Sequence, residues 1–162
     1  MKALKIYNMR TMLISFKPYV YDKIKTGTKI YEHRAVFPDE PIKAYMYISS
    51  PVKAITGILY LSNKQYLSDW KDKYNNNPEA VKRIDEFMQR NKVVMQIDEF
   101  RETNAIPLET LRVDLDKFVV PQMYYYLDGT PLLEYINSNI NETGFVIKHD
   151  FSNITSNDIC RH

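Results

Sequence analysis

GTKIYEHR, residues 27–34, lies between a helix-like segment and a Pro-containing turn, and its reading decides how the chain is built. Upstream, Pro18 suits the first turn of a helix, Val20 and Ile24 lie four apart on one face, and Gly27 supplies a stop. KIYEHR then continues as an extended segment as far as FPDEP, because proline cannot continue a ladder. In an extended chain Lys29, Tyr31 and His33 point one way, and Ile30, Glu32 and Arg34 the other. Glu32 and Arg34 therefore share a face. They are either a surface ion pair of little energetic weight, or one wall of a cleft. In a cleft, Arg34 grips a phosphate or base edge bidentately and Glu32 accepts from an amino group. Lys29, two residues from Gly27, adds a phosphate contact or, with its pKa lowered by burial, a base.

Working outward, MLISF (12–16) has β character and leads into the helix at Pro18. KAYMYISS and VKAITGILYLS are rich in β-branched and aromatic residues and read as two strands joined at the Ser50-Pro51 corner. Gly57 inside the second marks a bulge or a close approach of another group. Residues 65–91 change period. Tyr66, Leu67, Trp70 and Tyr74, then Val81, Ile84, Phe87 and Met88, read as two helices broken at Asn75–Pro78, with an apolar stripe for packing. VVMQIDEF (93–100) and MYYYL (123–127) are further strands, with a helical turn near Pro107 and a short closing helix at PLLEYI. Residues 137–162 are polar, with one weak strand-like patch at FVIKH, and read as a loosely attached extension.

Strands and helices do not alternate regularly, which argues against a doubly wound parallel sheet. The expected architecture is α+β, mainly β: a small barrel of five to six strands, with an early short helix and a helical insertion.

At 162 residues the chain suits one domain with a real core, and 44% hydrophobic with 26% charged residues is an ordinary composition for a soluble protein. No apolar run reaches the roughly 20 residues of a membrane span, and MKALKIYNMRTM lacks the apolar block of a signal peptide. A single cysteine, Cys160, excludes an intramolecular disulfide, so the expected setting is soluble and cytoplasmic. Charge is uneven. Residues 1–64 carry 11 basic and 4 acidic side chains, residues 65–162 carry 11 and 16. A basic half suits a polyanion such as RNA or DNA, unless folding interleaves the halves. Glycines 27, 57, 129 and 144 are scattered singly, so there is no phosphate-cradling loop, and His33, His149 and His162 lack accompanying ligands. Neither a metal nor a cofactor is expected.

With these elements in place, Gly27, Lys29, Glu32 and Arg34 resemble the GxKxxExR signature of the ASCH domains, a branch of the PUA-like β-barrels. MLISFKPYVYDKIKTGTK is similar to the entrance of that family, YMYISSPVKAITGILYL to its paired strands, and IDEFRETNAIPLETLR with FVVPQMYYYL to its closing section. The resemblance covers residues 12–136, leaving 1–11 as an N-terminal and 137–162 as a polar C-terminal extension.

The resemblance implies a barrel with a cleft beside the early helix, and a module that binds RNA or nucleotides, including a modified or unpaired base. It implies Lys29, Glu32 and Arg34 as cleft residues, with Lys17, Ser49, Ser50 and Tyr124 as neighbours. Some relatives are enzymes, and the alternative is a metal-independent hydrolase acting on RNA or a modified nucleoside, with Lys29 and Glu32 as candidate catalytic residues. In the acetylcytidine-hydrolysing branch Lys29 matches the family lysine, but Glu32 stands where that branch keeps its nucleophilic threonine. In the ribonuclease branch Lys29 is again matched and Tyr19 or Tyr21 supplies the tyrosine, whereas Met123 follows Gln122 where a serine is expected. A third reading makes the charged insertion at 65–91 a docking surface for a protein partner.

Overall fold

The computed structural model describes residues 9–161. Of the extension expected over 1–11, residues 1–8 lie outside that range, as does His162, while Arg10 and Thr11 open the first strand. The order is β1 (Arg10–Phe16), α1 (Pro18–Lys25), β2 (Tyr31–Arg34), β3 (Ile42–Ile48) and β4 (Ala54–Tyr66). Next come α2 (Leu67–Lys73), α3 (Pro78–Met88), β5 (Val93–Thr103), β6 (Ile106–Pro107) and α4 (Leu108–Asp114). The chain closes with β7 (Tyr124–Tyr126), α5 (Pro131–Asn139) and β8 (Glu142–Lys148). The mainly-β α+β expectation is borne out. Among the described residues there are eight strands rather than five to six, the additions being the two-residue β6 and the tail strand β8.

The strands form one curled half-barrel sheet in the order β2-β5-β4-β3-β1-β7, with β6 paired to β4 and β8 to β5. Among the described residues only β1 and β3 run parallel, in the register Met12↔Ala44 and Ile14↔Met46, and α1 belongs to the connection between them. Alternation along β1 sends Met12, Ile14 and Phe16 to one face and Leu13 to the other. On the first face they meet Ile24, Met46, Leu59 and Phe100, and α1 packs there through Val20 and Tyr21. On the second, Leu13, Tyr45 and Ile55 meet Leu111 of α4 and Ile136 of α5. With both faces covered, β1 and β3 read as near-continuous apolar runs.

α1 starts where proline fixes the backbone for helix, after an extended Lys17. It ends where Gly27, at φ 79°, donates its N–H to the Ile24 carbonyl at 3.1 Å. In the insertion, the Asn77 side chain accepts from the Ala80 N–H at 3.1 Å and so caps α3 ahead of Pro78. Its apolar stripe is packing surface, as expected: Leu67, Trp70 and Ile84 are buried with Tyr31 and Val94. No helix among the described residues is long and apolar enough to cross a membrane.

The tail departs from the expectation of loose attachment. β8 pairs with β5 through Glu99↔Lys148 and Phe100↔Ile147, and the last residues bury Ile159 and Cys160 against the Tyr31–Trp70 cluster. The reason is nonlocal. β5 offers a free ladder edge there, and apolar residues widely spaced in a polar run find one common surface.

Candidate nucleic-acid cleft

β2 carries the alternation expected of GTKIYEHR. Tyr31 and His33 turn toward the insertion, Tyr31 meeting the Trp70 ring edge-on at 5.0 Å and His33 lying 4.5 Å from the Phe87 ring. Glu32 and Arg34 turn to the opposite side. There a cleft of about 530 Å³ opens between the start of α1, the end of β1 and the Val120–Gln122 loop. Ser15, Lys17, Tyr19, Glu32, Arg34 and Ser49 are among the residues that line it.

Arg34 is fixed from three directions. Its Nε donates to Glu32 Oε1 at 3.2 Å, its Nη2 donates to the Ser15 carbonyl at 3.0 Å, and its guanidinium lies 5.2 Å from the centre of the Phe16 ring. Nη1 takes part in neither bond. Glu32 is only 5% exposed, and its Oε2 has no hydrogen-bond partner among the described residues. This is not a surface ion pair of little energetic weight, because a buried charge pair is dominated by desolvation and by the geometry of its remaining polar atoms.

Lys17 is exposed at the rim of the cleft, and Ser49 lines it with its N–H donating to the Phe16 carbonyl at 2.9 Å. Ser50 is exposed at the corner and is not among the lining residues. Tyr124 packs on the core, its ring stacked on Phe37 at 6.2 Å, and does not line the cleft. Burial raises its phenol pKa, and Arg34 acts in the opposite direction. Lys29 borders two adjoining depressions, one with Lys23 and Arg90 and one with Cys160 and Arg161, rather than the cleft of Glu32. The structure thus brings Lys17, Glu32, Arg34 and Ser49 together and sets Lys29 beside them.

Sequence reasoning missed Ser15, whose carbonyl anchors Arg34, and Asn91 and Gln122, which close the cleft from distant segments. The run MLISFKP carried a partial signal for Ser15, which lies two residues before Lys17. Asn91 had none. Among the described residues no group of three or more His, Cys, Asp or Glu is placed to hold a metal ion.

The backbone arrangement is similar to that of the ASCH protein from Zymomonas mobilis, with a TM-score of 0.57 and 21% identity over 82% of this chain and 96% of that one. The chain has the ASCH fold. Crystal structures of two variants of the same Zymomonas protein match as well. The serine-to-alanine variant has a TM-score of 0.57 and 20% identity over 81% of this chain and 97% of that one. The tyrosine-to-phenylalanine variant has the same score and identity over 82% and 99%. No protein-family model and no curated protein matches the chain. The resemblance read from GxKxxExR is therefore borne out at the level of the ASCH fold, with Glu32 and Arg34 of that signature on the wall of its cleft.

Proposed function

We propose that the chain is an RNA- or nucleotide-binding module that holds an unpaired base in the cleft at Glu32 and Arg34. The observation that carries the reading is the buried Glu32 carboxylate, on the cleft wall, with Oε2 lacking a donor among the described residues. An unsatisfied buried acceptor costs about 1–3 kcal/mol, and more when charged. The exocyclic amino group of a base supplies the missing donor, as in carboxylate recognition of cytosine N4. Arg34 Nη1 serves the neighbouring ring acceptor or carbonyl, and Lys17 at the rim meets the phosphate. An unpaired base, with its Watson–Crick edge open, is the form such a cleft accepts.

The hydrolase alternative takes Lys29 as base with Glu32 as partner. These two side chains border different depressions, and no observation favours their acting together. The docking alternative rests on the charge and length of residues 65–91 alone, since Leu67, Trp70 and Ile84 of its apolar stripe pack with Tyr31 and Val94.

Titration with cytidine and uridine oligomers tests the reading. Glu32→Gln, which preserves shape, is expected to weaken cytidine binding about tenfold and uridine binding far less, and Arg34→Lys is expected to weaken both. A parent protein that binds neither oligomer, or variants that bind both as the parent does, would remove it.

A further inference from the structure

The cleft does not end at Glu32. A groove of about 460 Å³ adjoins it, and Tyr19, Val20, His33 and Asn91 border both. That groove runs on into a recess of about 410 Å³, the two sharing Lys29, His33 and Arg161. One wall is α1, which presents Tyr19 and Lys23 one turn apart. The other is the end of α3, with Phe87, and the turn after it, with Arg90 and Asn91, and the far end is the tail residue Arg161.

Charge follows this path. Lys17, Lys23, Lys29, Arg34, Arg90 and Arg161 border the three connected depressions, against Glu32, Glu86 and Asp158. Glu32 is engaged by Arg34. Lys17, Lys23, Lys29 and Arg90 form no ion pair among the described residues, unlike Lys25 with Glu102, Lys64 with Asp39 and Lys71 with Asp85 elsewhere. An exposed aromatic completes the path: Tyr19 is 60% exposed at the junction of cleft and groove. Cations along a groove with an aromatic ring at its turn are the elements that hold an unpaired strand, through its phosphates and by stacking.

The far end is built, not frayed. Arg83 of α3 donates Nη2 to the Ser156 carbonyl at 2.5 Å and Nε to the Ile159 carbonyl at 3.4 Å, while Ile159 and Cys160 are buried. Arg161 is in turn held by its Nε donating to the Asn157 carbonyl at 2.9 Å. The insertion and the tail together therefore position Arg90 and Arg161 on one groove.

We infer that the cleft is one end of a single-strand track, in which an unpaired RNA leaves the Glu32–Arg34 cleft, passes Tyr19 and runs between α1 and α3 to Arg161. The ligand is then a strand of several nucleotides and not a mononucleotide. This rests on the reading of the cleft as a base-binding site and adds Tyr19, Lys23, Arg90 and Arg161 to it.

Binding of cytidine monophosphate and of an octacytidylate RNA to the full chain, at several salt concentrations, tests the track. The parent is expected to hold the octamer at least about tenfold tighter than the monophosphate, since flanking phosphates add electrostatic attraction. The combined variant Lys23→Gln, Arg90→Gln and Arg161→Gln is expected to lose about tenfold or more on the octamer. Its salt slope should fall by about 2, because each phosphate left without its cation removes roughly 0.7, with monophosphate binding and melting temperature retained. Glu32→Gln is expected to weaken both probes. Equal affinity of the parent for octamer and monophosphate would overturn the track. So would a combined variant that binds the octamer as the parent does, and in that case weakening by Glu32→Gln leaves the cleft reading standing. An octamer released by the combined variant but unaffected by Glu32→Gln would sink the cleft reading, and with it the assigned end of the track.

Discussion

Arg34 and Glu32, two residues apart on one face of β2, form an ion pair at 3.2 Å with side chains only 17% and 6% exposed, and Arg34 also holds the Ser15 carbonyl. Truncating the arginine strands a buried carboxylate, and that loss is much larger than the net value of the pair. Arg34→Ala is therefore expected to destabilise the fold by about 3–5 kcal/mol in urea denaturation. The double variant Arg34→Ala with Glu32→Ala should cost less than the two single changes added together, by about 1–3 kcal/mol. Strict additivity would show that the two groups do not act as a pair.

Gly57 tests the core behind the cleft. It has φ 94°, and a Cβ placed there would lie 3.0 Å from Met46 Sδ, 3.0 Å from Phe100 Cε1 and 3.4 Å from Tyr21 Cε2. Two costs combine in Gly57→Ala: a left-handed backbone for a residue with a Cβ, and overpacking against an aromatic ring. The expected loss is about 3 kcal/mol, seen as a lowered melting temperature with unchanged secondary structure. A loss below about 1 kcal/mol would mean that neither the backbone strain nor the overpacking is felt.

What could be read in advance follows from the range of the forces involved. The alternation of Tyr31 and His33 against Glu32 and Arg34 is a property of extended backbone, and the break at Asn75–Pro78 is local turn chemistry, so both were legible. Gly57 signalled a close approach without saying to what, since Met46, Phe100 and Tyr21 come from three other elements. The signature groups Lys29 with Glu32, whereas the backbone alternation sets it on the other face, and it borders the adjoining depressions. The tail misled most. Ile147, Ile159 and Cys160 show no period of their own, and their burial is set by surfaces that β5 and the insertion assemble.

His149 gives the fold a pH dependence. Burial lowers its pKa from the ordinary value of about 6.5, with Asp98 opposing, and its Nε2 is buried without a partner among the described residues. The folded chain therefore resists protonation that the unfolded chain accepts. Around and below pH 6.5 the unfolded state binds more protons, so stability falls as pH falls through that region. Unfolding free energies at pH 7.5 and 5.5 should drop more for the parent than for His149→Gln. Identical drops would remove this histidine from the account.

The fastening of the tail is open to a chemical probe at Cys160. Burial pushes its thiol up to about 12, against the opposing charges of Arg83 and Lys29. The thiolate is the reactive form, so a disulfide reagent at pH 8 is expected to label the native chain orders of magnitude more slowly than the urea-unfolded chain. Labelling then reports how often the tail lifts from Tyr31 and Trp70, the residues it shares a core cluster with. Ile159 is fully buried in that cluster, and Ile159→Ala removes packing that holds the tail down, at a cost of about 2–5 kcal/mol. If the tail opens as a local unit, Cys160 labelling in Ile159→Ala accelerates while the urea midpoint of the sheet moves little. If tail and sheet open together, rate and midpoint shift by the same free energy. Fast labelling of the parent, at the rate of the unfolded chain, would show that the tail is not fastened at all.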